Sequence, residues 1–228
     1  MSIRTKLQTI RKNNQKIRES GGITDEFWRN TLNGGNAKNY KRGFCTIWND
    51  DNFKPTYDIV LSGDNDSIFW GSQITDFSGI LQRQGVRLDT SGATILSYAF
   101  ATRTITTIPE IDCRNLKELT HVFRGATSAV SIALVMLKED GTQTFESAFL
   151  GCGELKDISI SGTIGNDISF KDSTKLSQNS IVSIVLALSD SVSGKTLTLS
   201  RAAKEAAFTD EEWNDLIEFT TNWTFNLV

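Results

Sequence analysis

Leu96-Ser-Tyr-Ala-Phe100, Leu119-Thr-His-Val-Phe123 and Phe145-Glu-Ser-Ala-Phe149 share one pattern, apolar-x-x-small-Phe, with phenylalanines 23 and 26 residues apart. That spacing lies in the range of leucine-rich repeats. Each unit is followed by a small or glycine-containing turn: Ala101, Gly125, then Gly151-Cys152-Gly153. Strand-like alternation comes next, through Ile105 and Ile108, then Val130, Ile132 and Leu134, then Ile158 and Ile160. An earlier, degenerate turn is read through Ile74, Phe77, Leu81 and Leu88. A unit of this kind buries its apolar edge only against its neighbours, so the array predicts a short solenoid.

The solenoid needs ends. On the C-terminal side, Ser177 is placed to N-cap a helix with Ile181, Ile184, Val185 and Leu188 on one face. Leu197 and Leu199 alternate as a strand. Thr209-Asp-Glu-Glu212 is a capping box that opens an acidic helix with Trp213, Leu216 and Ile217 inside, and Trp223, Phe225 and Leu227 alternate as a closing strand. On the N-terminal side, Thr24 caps a helix carrying Phe27, Trp28 and Leu32. An aromatic-dotted connection follows through Tyr40, Phe44, Trp48, Phe53, Pro55 and Tyr57, packed onto the core by its rings.

Farther out, Ile3, Leu7, Ile10, Asn14 and Ile17 are spaced 4, 3, 4, 3. This is the seam of a coiled coil, with Leu7 and Asn14 at a and the three isoleucines at d. An amphipathic helix lying on its own domain fits the same spacing, and both readings stand. Gly21-Gly22 ends the helix. The expected organisation is an oligomerisation or anchoring helix over 1–22, a helix plus aromatic cap over 23–67, repeats over 68–170 and a helix-strand cap over 171–228. The fold class is α+β.

Composition sets the chemistry. The net charge of −3 divides into +5 on residues 1–20 and −8 on the remainder, which marks the first helix as an appendage with its own partner. A generally basic nucleic-acid binder is excluded. No apolar run approaches a membrane span, and the N-terminus lacks an apolar signal core, so neither membrane insertion nor signal-peptide secretion is expected. One histidine and three cysteines, Cys45, Cys113 and Cys152, cannot complete a zinc set. The cysteines read as buried reduced thiols.

His121 fills a slot held by Tyr98 and Ser147 in the sister units, which reads as a repeat-surface position and not a general base. Ser193-Gly-Lys-Thr196 lacks the upstream glycine of a phosphate loop and reads as a turn. Asp50-Asp51 and Asp64-Asn-Asp66 read as loop and cap carboxylates. No catalytic, metal or cofactor residues are expected.

The repeats resemble BspA-type leucine-rich repeats. The flanks are more specific: Met1-Ser-Ile-Arg-Thr-Lys-Leu7, Phe27-Trp28 with Asn33-Gly34, Trp48-Asn-Asp with Phe53-Lys-Pro55 and Tyr57-Asp-Ile59, then Leu197-Thr-Leu199, Phe208-Thr-Asp-Glu-Glu-Trp213 and Asn222-Trp-Thr224. Together they look like BspA-repeat proteins of bacteriophages and prophages of Gram-positive bacteria. The chain departs from them at Arg103-Thr-Ile105 and in a longer third unit, Val130 to Leu137.

The resemblance implies a non-enzymatic virion protein, made in the host cytoplasm and associated with the tail or fibre. Its first helix would bind other virion proteins or form a homo-oligomer, with a trimer among the options. Its repeats would face a host surface protein or polysaccharide. The alternatives are an intracellular module that engages a host protein, a head or neck decoration protein, and a carbohydrate-active enzyme. The last requires a cleft lined by two facing carboxylates.

Overall fold

A backbone edge left open by one coil of chain is satisfied by laying the next coil beside it in the same direction. Each of the described sheets is built this way. The computed structural model describes residues 35–38, 49–51, 53–56, 58–218 and 220–228. Ile3, Leu7, Ile10, Asn14, Ile17, the segment opening at Thr24 and Cys45 lie outside the described residues.

Among the described residues three small three-stranded sheets form, all parallel and none closed: β1 (Gly35–Lys38), β2 (Ile59–Asp64) and β3 (Leu88–Ile95); β4 (Ile111–Asp112), β5 (Ser131–Leu137) and β6 (Asp157–Gly162); β7 (Ile168–Phe170), β8 (Lys195–Leu199) and β9 (Trp223–Leu227). The pairs Ile59–Leu88, Ile111–Leu134, Leu134–Ile160 and Ile168–Leu197 set coil lengths of 29, 23, 26 and 29 residues. Four helices complete the mixed helix and strand architecture among the described residues: α1 (Phe77–Gln84), α2 (Gln178–Leu186), α3 (Arg201–Ala207) and α4 (Asp210–Ile217). Parallel pairing extends upstream of residue 68 and downstream of residue 170.

The five-residue units stack on one another. In unit 119–123 the first, third and fifth N–H groups donate to the next coil: Leu119 to the Thr144 carbonyl at 3.0 Å, His121 to Glu146 at 2.9 Å and Phe123 to Ala148 at 3.0 Å. The N–H groups of Val122 and Arg124 instead turn back to Leu119 and His121 within the coil. Alternating the two directions forces the third residue into the left-handed region, at φ 56° for Tyr98, 57° for His121 and 50° for Ser147.

The same bonds reveal a fourth unit, Asn65-Asp-Ser-Ile-Phe69. Asn65, Ser67 and Phe69 donate to Ile95, Ser97 and Ala99, and Ser67 has φ 60°. Two residues after the phenylalanine, Gly71, Gly125 and Gly151 are all left-handed, where a Cβ would add strain. Phe69, Phe100, Phe123, Phe149 and Phe170 form an unbroken buried ladder with centroid separations of 4.3–5.9 Å.

Three expectations need correction. Ile74, Phe77, Leu81 and Leu88 do not make a repeat turn. Phe77, Ile80 and Leu81 are the buried face of α1, N-capped through Asp76 and closed by left-handed Gly85. Their spacing of three and four is that of one helical face. Ile105 and Ile108 are buried but outside any strand, which forms only at β4. Val130 is 42% exposed, and inward alternation starts at Ile132.

The C-terminal elements form where their sequence signals predict, except that Leu188 lies past the end of α2, in a bridge to Ile164. Ser177 caps α2, the Thr209–Glu212 capping box opens α4, and Trp223 is the buried residue of β9. Ala-rich α3 carries no such signal, and its cap residue Ser200 makes no side-chain cap bond. Helix α2 closes the open edge of β6: the Ile158 and Ile160 N–H groups donate to the hydroxyls of Ser180 (2.9 Å) and Ser183 (3.0 Å). A covered edge cannot pair with another chain.

Candidate functional site

The strand side of the stack is less regular, and the irregularity makes a cleft. Asp76 bridges Thr107, and Thr107 bridges Ser131. From those aligned positions the chain reaches its next strand by different routes. Asp76 is twelve residues from Leu88, the start of β3, whereas Thr107 is four residues from Ile111, the start of β4. The extra residues are α1. The helix bulges past the shorter coil below it, and a cleft of about 660 Å³ opens between α1, the start of β3 and residues 108–112.

Strand pairing is also interrupted here. β3 and β4 belong to different sheets, and the Thr90 side chain spans the interval. Its hydroxyl accepts the Asp112 N–H at 2.7 Å and donates to the Asp112 carbonyl at 3.0 Å. Asn115 donates to the Ser91 carbonyl at 2.6 Å on the same join. Both backbone groups of Asp112 are thereby satisfied where no strand supplies a partner.

Leu81, Val86 and Ile108 give the cleft a buried apolar floor. Its charges are ordered by their partners. Arg87 is turned onto Asp58, with Nη2–Oδ2 at 3.1 Å, and the Arg87 N–H also donates to Asp58 at 2.8 Å. Those two bonds hold the Asp58 carboxyl below its usual range, the backbone bond most of all. Arg114 grips Asp112, with Nη2–Oδ2 at 2.6 Å and Nε within 3.0 Å of both oxygens. This holds the Asp112 carboxyl low, against the opposing effect of burial. Asp89 accepts the Ser91 N–H at 2.9 Å. Among the described residues, Asp89 and Glu110 have no cation within ion-pair distance, and both are exposed.

The cleft therefore holds three carboxylates, Asp89, Glu110 and Asp112. A general acid of glycoside hydrolysis needs its pKa raised by an apolar setting. Asp112, the half-buried one, is shifted the opposite way. A second groove, of about 380 Å³, lies on the other side of Ile108, between β5, β6 and the serines of α2.

The remaining sequence candidates are built into the fold. His121 is half-buried and stacks on Tyr98, ring centroids 4.6 Å apart and planes 3° apart. Desolvation, and next the Arg124 charge, push its pKa down, while Glu146 opposes them. Cys113 and Cys152 are buried and free, and burial pushes both thiols up to about 12, so they are unreactive at neutral pH. Asp50 accepts the Thr75 N–H at 2.8 Å and ties two coils together. Asp64 accepts the Asp66 N–H at 3.1 Å in a local turn.

Gly194 turns at φ 68°, and Lys195 starts β8 with Nζ 2.9 Å from Asn166 Oδ1. The Ser193–Thr196 stretch is thus a turn into a strand, the reverse of the strand-to-helix order of a phosphate loop. Among the described residues, no group of three or more His, Cys, Asp or Glu side chains is placed to hold a metal ion, and no helix is long and apolar enough to cross a membrane. The sequence pattern carried no signal for the cleft, which depends on coil alignment. Compared with family models, curated proteins and solved structures, the chain matches none.

Proposed function

We propose that the stacked units are a short leucine-rich-repeat-like solenoid, and that the chain is a non-enzymatic binding component of a bacteriophage particle, associated with the tail or fibre. The observation that carries the binding role is the division of labour across the stack. One side is locked by the phenylalanine ladder and the bonds between coils, while the other side offers an open cleft. A surface held in this way orders little on binding, so the contacts it makes are not offset by a large entropy loss. Asp112, gripped by Arg114, is held ionised and is not the raised-pKa acid that glycoside hydrolysis needs.

The particle setting draws on the resemblance of the repeats and flanks to phage BspA-type proteins. In this reading Ile3, Leu7, Ile10, Asn14 and Ile17 anchor the chain to another virion protein or to copies of itself, and the repeats face the host surface. Mass spectrometry of purified particles tests it. The chain is expected among the virion proteins at a copy number matching a tail or fibre ring. Its absence from particles would replace this reading with an intracellular binding module, and a copy number matching the capsid would indicate head decoration.

A further inference from the structure

We infer that the cleft between α1 and residues 108–112 is a carbohydrate site that takes a short stretch of a neutral, hydroxyl-rich glycan. The inference deepens the surface-contact reading and rests on it.

The size suits such a ligand, since about 660 Å³ falls inside the range of roughly 300–1,000 Å³ typical of small-molecule clefts. The floor of Leu81, Val86 and Ile108 offers aliphatic surface to the C–H face of a sugar ring. The rim offers both kinds of hydrogen-bonding group that a sugar hydroxyl needs, because a hydroxyl donates and accepts at once. Among the described residues, Asp89 and Glu110 are exposed acceptors outside any ion pair, while Gln82 and the outer guanidinium edge of Arg114 are donors.

The charge balance selects against anionic polymers. Among the described residues, the two cations of the rim are ion-paired to Asp58 and Asp112, Asp89 lies close enough to Arg114 to feel its charge without pairing with it, and the rim of Arg87, Arg114, Asp89, Glu110 and Asp112 carries a net charge of −1. A phosphate or uronate chain would meet net negative charge there. The walls are fixed before a ligand arrives, by Thr90 and Asn115 across the β3–β4 join and by Asp76, which receives Thr107 at 2.7 Å and Arg83 at 2.9 Å. Preorganisation of this kind is what makes weak polar contacts count.

The test uses the full chain in saturation-transfer NMR and calorimetry. The probes are chitotriose, maltotriose, cellotriose and a rhamnose trisaccharide, with polyglycerol phosphate and tetralysine as anionic and cationic comparisons. At least one neutral trisaccharide is expected to bind with a millimolar or tighter Kd. Substituting Asp89→Asn and Glu110→Gln together should weaken it by about tenfold or more. Both positions are exposed, so thermal unfolding should not move, and Glu211→Gln on α4 should leave binding as it was.

The inference is overturned if no neutral trisaccharide binds at about 10 mM, if only polyglycerol phosphate or tetralysine binds, or if the double variant binds as the parent does. Particle composition is read separately. A chain found in virions that binds no glycan sinks the cleft assignment alone, and a glycan-binding chain missing from virions sinks the particle reading alone.

Discussion

On the turn side of the stack, three units pass the same hydrogen bonds to the next coil, the fourth receives them, and five phenylalanines stack without a gap. On the strand side, the ladder stops between β3 and β4, and a threonine hydroxyl spans the interval. Both sides belong to the same coils, so they feel the same changes in coil length. The turn side absorbs none of them: every unit is five residues long and spaced so that its phenylalanine meets the next. The strand side absorbs them all, as the α1 excursion in one coil and as the direct route from Thr107 to Ile111 in the next. Stability is thereby concentrated on one side, which leaves the other free to carry a shape.

The largest test of that division removes a rung. Phe123 is fully buried between Phe100 and Phe149, and Phe123→Ala leaves a cavity that neighbours on a rigid ladder cannot fill. The expected loss is about 3–5 kcal/mol in urea-unfolding free energy. Thr90→Val keeps the shape of its side chain but orphans the N–H and carbonyl of Asp112. It should cost about 1–2 kcal/mol. Hydrogen exchange at Asp112 should rise selectively in this variant. If Thr90→Val cost as much as Phe123→Ala, the two sides would share the load and the comparison would fail.

These residues also mark where the sequence was legible. Three units could be read because apolar, small and phenylalanine positions recur at fixed offsets. The fourth was hidden because two of its positions depart from the pattern: Asn65 is polar where the others have leucine or phenylalanine, and Ile68 is larger than the alanine or valine of the others. Asn65 is buried there because its amide donates to the carbonyls of Ser62 (2.9 Å) and Gly63 (3.3 Å), a substitution of hydrogen bonds for apolar packing that no hydrophobic pattern reveals. Phe170 was hidden for a different reason, since it joins the ladder from β7 and belongs to no five-residue unit.

The cleft could not be read at all. It arises from a difference in chain length between bridged positions, and Asp76 and Thr107 carry nothing in their identity to say that they are aligned. Gln143 is a similar case. Its buried side chain donates to the carbonyls of Cys113 and Leu116 and accepts the Lys138 N–H, standing in for a strand partner.

A smaller effect separates geometry from side-chain identity on the turn side. Ser147 is left-handed, and its side chain makes no hydrogen bond among the described residues, so Ser147→Gly should relieve backbone strain and stabilise by about 1 kcal/mol. Tyr98→Gly relieves the same strain but loses the ring stacked on His121, and should not stabilise. Denaturation midpoints distinguish them. If Ser147→Gly destabilised the protein, the serine side chain would be contributing to the column, and the third position would not be a purely conformational slot.

The smallest expected effect is a pH dependence carried by His121. Its folded pKa is lowered, chiefly by desolvation, so the unfolded chain binds the proton more readily than the folded one. Stability from this group is therefore complete above the ordinary histidine value of about 6.5 and is lost as pH falls below it toward the folded value. The lowered carboxylates Asp58, Asp76 and Asp112 act in the same direction but only below about pH 4, so the two windows are separate. With a single histidine in the sequence, no other side chain of that type contributes to the upper window. Unfolding free energies at pH 7.5 and 5.5 should fall slightly in the parent and less in His121→Gln, which stays neutral. Equal falls in both would mean that the imidazole is as well solvated folded as unfolded. The Tyr98–His121 stack would then lie outside the packed column, and the locked side of the molecule would end at the phenylalanines.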